Sequence, residues 1–133
     1  MTKILPALAL IALLAACHPA ARVCETGKPL VLTQLFFGLA KKDGAVTQRE
    51  WQYFVSTEIA PRFPEGFTIV EGHGFWLSEE AKKTISENSK VVSRLHDGSD
   101  RHNQDIQEII GIYKQAFGQE AVLRIDTKAC AAF

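Results

Sequence analysis

The fold of this chain is decided by residues 105–127, DIQEIIGIYKQAFGQEAVLRIDT. In the first part, isoleucine and aromatic side chains recur every three or four positions. That spacing predicts an amphipathic helix ending at Gly118. From residue 121 to 127 apolar and polar side chains alternate, which predicts a strand. The chain therefore closes with a helix followed by a strand.

The sequence before residue 105 predicts another helix and three further strands. Thr47 and Glu50 form a capping-box pattern that predicts the start of an earlier helix, and Pro61 and Pro64 predict its end. The order β-α-β-β-α-β predicts an α+β, ferredoxin-like fold, in which two helices cover one face of a four-stranded antiparallel sheet. The predicted strands are 30–39, 67–76, 90–96 and 121–127, with 77–88 as a polar connection.

Several short phrases occur as a set between Leu32 and the C-terminus. They are Leu35-Phe36-Phe37-Gly38-Leu39, Trp51 with Phe54, Pro61-Arg62-Phe63-Pro64, Gly66-Phe67-Thr68, Gly72, Gly74 and Trp76, Ser89-Lys90-Val91, Phe117-Gly118-Gln119-Glu120, and Val122-Leu123-Arg124. The set resembles the bacterial family catalogued as domain of unknown function number 3574. The resemblance implies a single exported domain and brings no catalytic residues with it.

The N-terminus resembles a bacterial lipoprotein signal. Lys3 precedes an apolar stretch that is too short to span a membrane, and Leu14-Ala15-Ala16-Cys17 resembles a lipobox. The resemblance implies that residues 1–16 are removed and that the Cys17 sulfur is acylated. His18, where an Asp would signal inner-membrane retention, favours the outer membrane. The alternative is an ordinary secretory signal cut nearby.

The expected organisation is a signal peptide over 1–16, a lipidated tether over 17–29 and one domain over 30–133, facing the periplasm. Without Lys3, 14 basic residues face 15 acidic ones, which argues against a nucleic-acid partner. If Cys17 is acylated, Cys24 and Cys130 remain. An oxidising compartment then predicts a Cys24–Cys130 disulfide, with two buried free thiols as the alternative.

Four polar residues form a candidate ligand site on the predicted sheet. If Val91, Leu95, Leu123 and Ile125 face the core, then Arg94, His96 and Arg124 face the helix-free side. With Gln34 they would form a cationic concavity for a small anion. The alternatives are a solvated sheet face or a dimer interface.

A second candidate is the rigid turn Pro61-Arg62-Phe63-Pro64, which could present Arg62 and Phe63 to a protein partner. The alternative is a plain helix-to-strand connection. Familiar catalytic motifs are absent from the sequence, and the four histidines lack the spacing of a familiar metal site, so we expect neither metal nor cofactor.

These observations favour a non-enzymatic envelope lipoprotein, a small binding or interaction module held at the membrane by its lipid. The alternative is a small cofactor-free enzyme with a pocket on the helix-free sheet face, formed within a homodimeric α+β barrel.

Overall fold

The computed structural model describes residues 24–133, so Cys17 and the predicted signal peptide lie outside the described residues. Within this range the chain forms one four-stranded antiparallel sheet and a small two-stranded hairpin. No helix in residues 24–133 is both long and apolar enough to cross a membrane. The elements are β1 (Lys28–Gly38), β2 (Ala40–Lys41), β3 (Gly44–Ala45), α1 (Gln48–Phe54), a π-helical segment (Val55–Ile59), α2 (Ala60–Arg62), β4 (Thr68–Ser78), β5 (Lys83–His96), α3 (Asp100–Phe117) and β6 (Leu123–Ala131).

The main sheet has the strand order β4-β5-β1-β6, with every neighbouring pair antiparallel. The first and third of its four strands are therefore central, as the βαββαβ pattern predicts. The ferredoxin-like α+β prediction is confirmed.

The core lies between the sheet and the helices. Phe37 of β1 is fully buried, and its ring centroid lies 5.5 Å from that of Trp51 and 4.7 Å from that of Tyr113. The Tyr113 hydroxyl donates a 2.7 Å hydrogen bond to the Gly38 carbonyl, which fixes α3 to the end of β1. An aromatic cluster therefore holds the helices to one sheet face.

The first helix starts as predicted and ends at Arg62, between Pro61 and Pro64. Thr47 and Glu50 form both hydrogen bonds of a capping box. Pro61 lies in α2, directly after the π-helical segment and within the last turn of the stretch, and the helix ends before Pro64. The continuous helical stretch therefore reaches Arg62.

The β4–β5 hairpin is longer than predicted. Residues 77–88, expected to be a connection, belong largely to the two strands, which leave only 79–82 between them. This part of the hairpin extends past the helices. Phe75 and Leu77 are more than half exposed there. Without a covered face, these strand residues lack the apolar alternation by which strands are recognised.

The predicted Cys24–Cys130 disulfide is present, with 5.6 Å between the two Cα atoms. Cys130 lies on β6 opposite Pro29 of β1. The bond therefore ties the segment that enters the domain to the strand that ends it. On the entropic model, closing a loop of 106 residues stabilises the fold by about 4–5 kcal/mol.

Candidate functional site

Arg94, His96 and Arg124 lie on the helix-covered face of the sheet, so their predicted position on the open face is wrong. Arg94 is opposite Thr33, and Arg124 is opposite Leu35, a core residue. Side chains on one strand alternate between faces, and these three share the face of Leu35. Gln34 lies on the opposite, helix-free face, where its side-chain amide donates to Ser93 at 3.4 Å.

The prediction for Arg94 and His96 was wrong because β5 carries two adjacent valines, Val91 and Val92. Both valines are buried, Val92 among the helices and Val91 on the open face. A strand with apolar residues on both faces does not reveal which set faces the core. The structure therefore brings together three of the four predicted ligand residues, but inside the molecule.

His96 and Arg124 belong to one hydrogen-bonded chain that runs through Thr33 and Asp126. His96 Nδ1 accepts from the Gly98 N–H at 3.1 Å, so its proton lies on Nε2. Nε2 donates to Thr33 Oγ1 at 2.8 Å, and Thr33 Oγ1 donates to Asp126 Oδ1 at 2.5 Å. Burial lowers the pKa of His96, and the nearby charge of Arg94 adds to the effect. His96 is therefore neutral near pH 7.

The other end of this hydrogen-bonded chain is the Asp126 carboxylate, which pairs with Arg124. The Arg124 guanidinium contacts Asp126 at 3.0 Å and donates to Asn103 of α3 at 2.6 Å. Burial raises the pKa of Asp126, but hydrogen bonds from Thr33 and Arg124 outweigh it and hold the pKa below its usual value. Because Thr33 is 1% exposed, this chain positions side chains and offers no accessible nucleophile.

Arg94 is enclosed between the sheet and the predicted interaction turn. Its guanidinium lies 4.3 Å from the ring centre of Phe63 and donates to Glu65 at 3.1 Å. Phe63 is 2% exposed, so it is part of the core and is not presented to a partner. Arg62 is half-buried and pairs with Glu58 and Glu108. The turn thus covers Arg94 and anchors the helices.

The helix-free face carries an apolar groove of about 310 Å³ at the end of the sheet remote from the disulfide. Phe36, Trp76 and Leu123 give it two aromatic rings and an aliphatic side chain. Gly38 and Gly74 have no side chains, so the strand backbone forms part of the floor of the groove. The remaining lining residues are Phe75, Glu87, Ser89, Gln119, Glu120 and Ala121.

Glu87 is held in a fixed position at this groove. Its carboxylate accepts a 2.6 Å hydrogen bond from the Trp76 indole and a 2.8 Å hydrogen bond from the Ala40 N–H. A Cβ at Gly38 would lie 2.6 Å from the same carboxylate, so glycine allows this close approach. Glu120 adds a second carboxylate, and Ser78 donates to it at 3.2 Å.

The groove has a clear electrostatic character. Among the described residues that line it, two are carboxylates and none is lysine, arginine or histidine. An acidic, aromatic surface attracts cations through both charge and the ring faces. A flat organic cation therefore matches its chemistry better than the small anion expected from the sequence.

Sequence reasoning did not find this groove. Its residues come from β1, the β4–β5 hairpin and the α3–β6 loop, and they are brought together only by strand register. One signal was present in the sequence. Gly72, Gly74 and Trp76 lie on one face of β4, and glycines within a strand often mark a place where a ligand or another segment approaches the backbone closely.

A comparison with protein families identifies the domain. The family model described as Protein of unknown function (DUF3574) matches residues 32–133. The chain belongs to this family. The match extends from β1 to the C-terminus, and the resemblance seen in the sequence phrases is thereby confirmed. No curated protein matches the chain.

Among solved structures, this member of the DUF3574 family is similar in fold to a phage SAM lyase. The lyase in complex with S-methyl-5'-thioadenosine aligns with a TM-score of 0.58 and 17% identity, covering 80% of this chain and 92% of the lyase chain. The apo lyase aligns with a TM-score of 0.55 and 16% identity, covering 83% and 96%. At these identities the likeness shows a shared α+β fold.

Proposed function

We propose that this protein is an envelope lipoprotein whose domain binds a small organic cation with a flat ring. The observation that carries this proposal is the Glu87 carboxylate, which two N–H donors fix beside the Trp76 ring in the groove. A ring stacked on Trp76 or Phe36 would leave its positive charge near Glu87 and Glu120. Cation–π and charge contacts then act on the same ligand.

The fixed Glu87 carboxylate favours binding because the side chain loses little conformational entropy when a ligand binds. The Trp76 and Ala40 donors already hold Glu87, so the ligand does not have to immobilise a free side chain. The groove volume of about 310 Å³ is at the lower end of the range for small-molecule sites. This size fits a ligand of one or two rings.

The proposed anchor leaves the groove accessible. An acylated Cys17 would hold the chain at its N-terminus, next to the start of β1 and the disulfide. Phe36 lies seven residues further along β1 than Pro29, which corresponds to about 23 Å. The groove thus lies at the end of β1 remote from Cys24, where the described domain begins. Acyl labelling that is lost in Cys17→Ser tests the anchor.

Binding is tested with two ligands that differ in charge. SAM carries a sulfonium and S-adenosylhomocysteine a neutral thioether, while the adenosine and amino-acid parts of the two ligands are the same. Titration of the full chain in non-ionic detergent, followed by Trp fluorescence and calorimetry, should show tighter binding of SAM. Glu87→Gln should weaken SAM binding by about tenfold or more, which corresponds to one charge-assisted contact, and should affect the thioether little.

Glu79→Gln is the matched control, because Glu79 lies in the exposed hairpin connection outside the groove. It should bind SAM as the wild type does. Equal affinity for charged and neutral ligands, or equal effects of the two substitutions, would contradict a cation-binding groove. If neither adenosine compound binds, the affinities for phenyltrimethylammonium, a cation, and benzenesulfonate, an anion, are compared. Equal affinities for these two compounds would also contradict the proposal.

A second candidate function is a small lyase that uses the same groove. It is supported by the fold shared with a SAM lyase over 92% of that enzyme's chain. Incubation of the full chain with SAM, followed by chromatography for S-methyl-5'-thioadenosine, tests it. Product formation above a heat-denatured control, and its loss in Glu87→Gln, would favour the enzyme; binding without turnover would favour the binding module.

A further inference from the structure

The β5–α3 connection brings two histidines and an aspartate together at the other end of the domain. His96 ends β5, Asp97 follows it, and His102 lies in the first turns of α3. One donor atom from each lies within 4.8 Å of the others. The two imidazole rings are 5.5 Å apart, and Asp97 Oδ1 lies 2.7 Å from His102 Nδ1.

The outer nitrogen of each ring already faces a partner of its own. His96 Nε2 donates to Thr33, which in turn donates to Asp126. His102 Nε2 lies 3.9 Å from a carboxylate oxygen of Glu65, and Arg94 holds that carboxylate. In metal sites one histidine nitrogen is commonly held by a carboxylate or hydroxyl while the other binds the ion. His96 already has this arrangement through Thr33, and Glu65 lies on the corresponding side of His102.

We propose that His96, Asp97 and His102 bind a divalent transition-metal ion of the Zn²⁺ type. Two imidazoles and a carboxylate are a donor set that Zn²⁺ prefers, and three protein ligands leave one position for water or a small ligand. The Nδ1 atoms of both rings supply the nitrogen ligands. At His96 the ion replaces the hydrogen bond from the Gly98 N–H.

The side chains need to move only slightly to close around an ion. Ligand bonds of about 2.0–2.2 Å place the donor atoms about 3.3 Å from one another. Asp97 must separate from His102 by less than an ångström, and the remaining donors, which lie within 4.8 Å, must approach by up to about 1.5 Å. Asp97 is 64% exposed and the His102 side chain 17% exposed, so the ion can reach the site from solvent.

The experiment is a calorimetric titration of the full chain with ZnCl₂, in detergent and after removal of metals with EDTA. We expect one equivalent to bind. His102→Ala should weaken binding at least about tenfold. His73→Ala is the matched control, since His73 bonds to Asn88 and Ser86 on the hairpin. His18→Ala excludes a site at the N-terminus, and both control variants should bind as the wild type does.

Thermal unfolding gives a second readout. Zn²⁺ should raise the unfolding temperature of the wild type and of both controls, but not that of His102→Ala. If His102→Ala is unfolded without metal, the visible spectrum of Co²⁺ bound to the wild type decides between nitrogen-containing tetrahedral coordination and the aquo ion. Failure of the wild type to bind Zn²⁺, undiminished binding by folded His102→Ala, or loss in His18→Ala would overturn the proposal.

Discussion

Thr33 and Asp126 lie directly opposite each other on β1 and β6, and the Thr33 hydroxyl joins Asp126 to His96. Thr33→Val keeps the shape of the side chain but removes the donor and the acceptor. The buried His96 Nε2 then loses its partner, while Asp126, whose side chain is 42% exposed, keeps Arg124. We expect a destabilisation of about 1–3 kcal/mol in urea unfolding. Thr127→Val, on exposed β6, should stay within about 0.5 kcal/mol of the wild type.

Phe36 and Phe37 are neighbours in the chain but should have separate roles. Phe37 is fully buried in the aromatic core, so Phe37→Ala should cost about 3–5 kcal/mol of unfolding free energy. Phe36 lines the groove on the other face. Phe36→Ala should cost less stability and weaken binding of the adenosine ligands more. Equal losses of stability would contradict the assignment of Phe36 to an open groove.

The disulfide should contribute measurably to stability. Cys24→Ser with Cys130→Ser removes the cross-link without leaving a lone thiol, and we expect a loss of about 2–5 kcal/mol. Addition of reductant should destabilise the wild type to a similar degree and leave the double variant unchanged. A wild type insensitive to a reductant that demonstrably opens the bond would contradict this expectation.

Glu50 should make the stability of the domain depend on pH. A hydrogen bond from Lys41, followed by the backbone and hydroxyl of Thr47, lowers its pKa from 4.5 to about 2. A carboxyl with a lowered folded-state pKa stabilises the fold above pH 4.5, and this contribution is lost as the pH falls from 4.5 to about 2. Glu50→Gln should therefore show a flatter decline in unfolding temperature over that range.

The control for this profile is Glu80→Gln, in the exposed β4–β5 connection. It should retain the wild-type decline. If Glu50→Gln declines as steeply as Glu80→Gln, the Glu50 carboxylate is not the source of the acid sensitivity.

The elements that fold locally are those that the sequence predicts well. The Thr47 cap and the Gly118 stop, which has a left-handed φ of 64°, depend on neighbouring backbone groups and are therefore visible in the residue order. The amphipathic spacing of α3 is of the same kind. The disulfide joins residues 106 positions apart, and it was predictable because only two cysteines remain once Cys17 is set aside. Together with the strand order they are enough to predict the fold class.

The candidate site depends on which face each strand turns to the helices, and local sequence leaves that open. With Val91 and Val92 both apolar, β5 fits either register, and only packing against Phe37 and Tyr113 decides between them. This facing of β5 places Arg94 and His96 on the helix-covered side of the sheet. The groove beside Trp76 depends on contacts with Glu87 and Ala40, which the sequence pattern does not reveal.

The Cys24–Cys130 bond also determines how the domain responds to mechanical load. Tension applied N-terminal of Cys24 divides at the sulfur atoms and enters β1 and β6 together, two adjacent strands paired from Lys28 to Phe36. The pull cannot peel β1 from β6 one hydrogen bond at a time, because the cross-link closes the end at which peeling would begin. Tension applied N-terminal of Cys24 is thus shared by β1 and β6 before it reaches the groove.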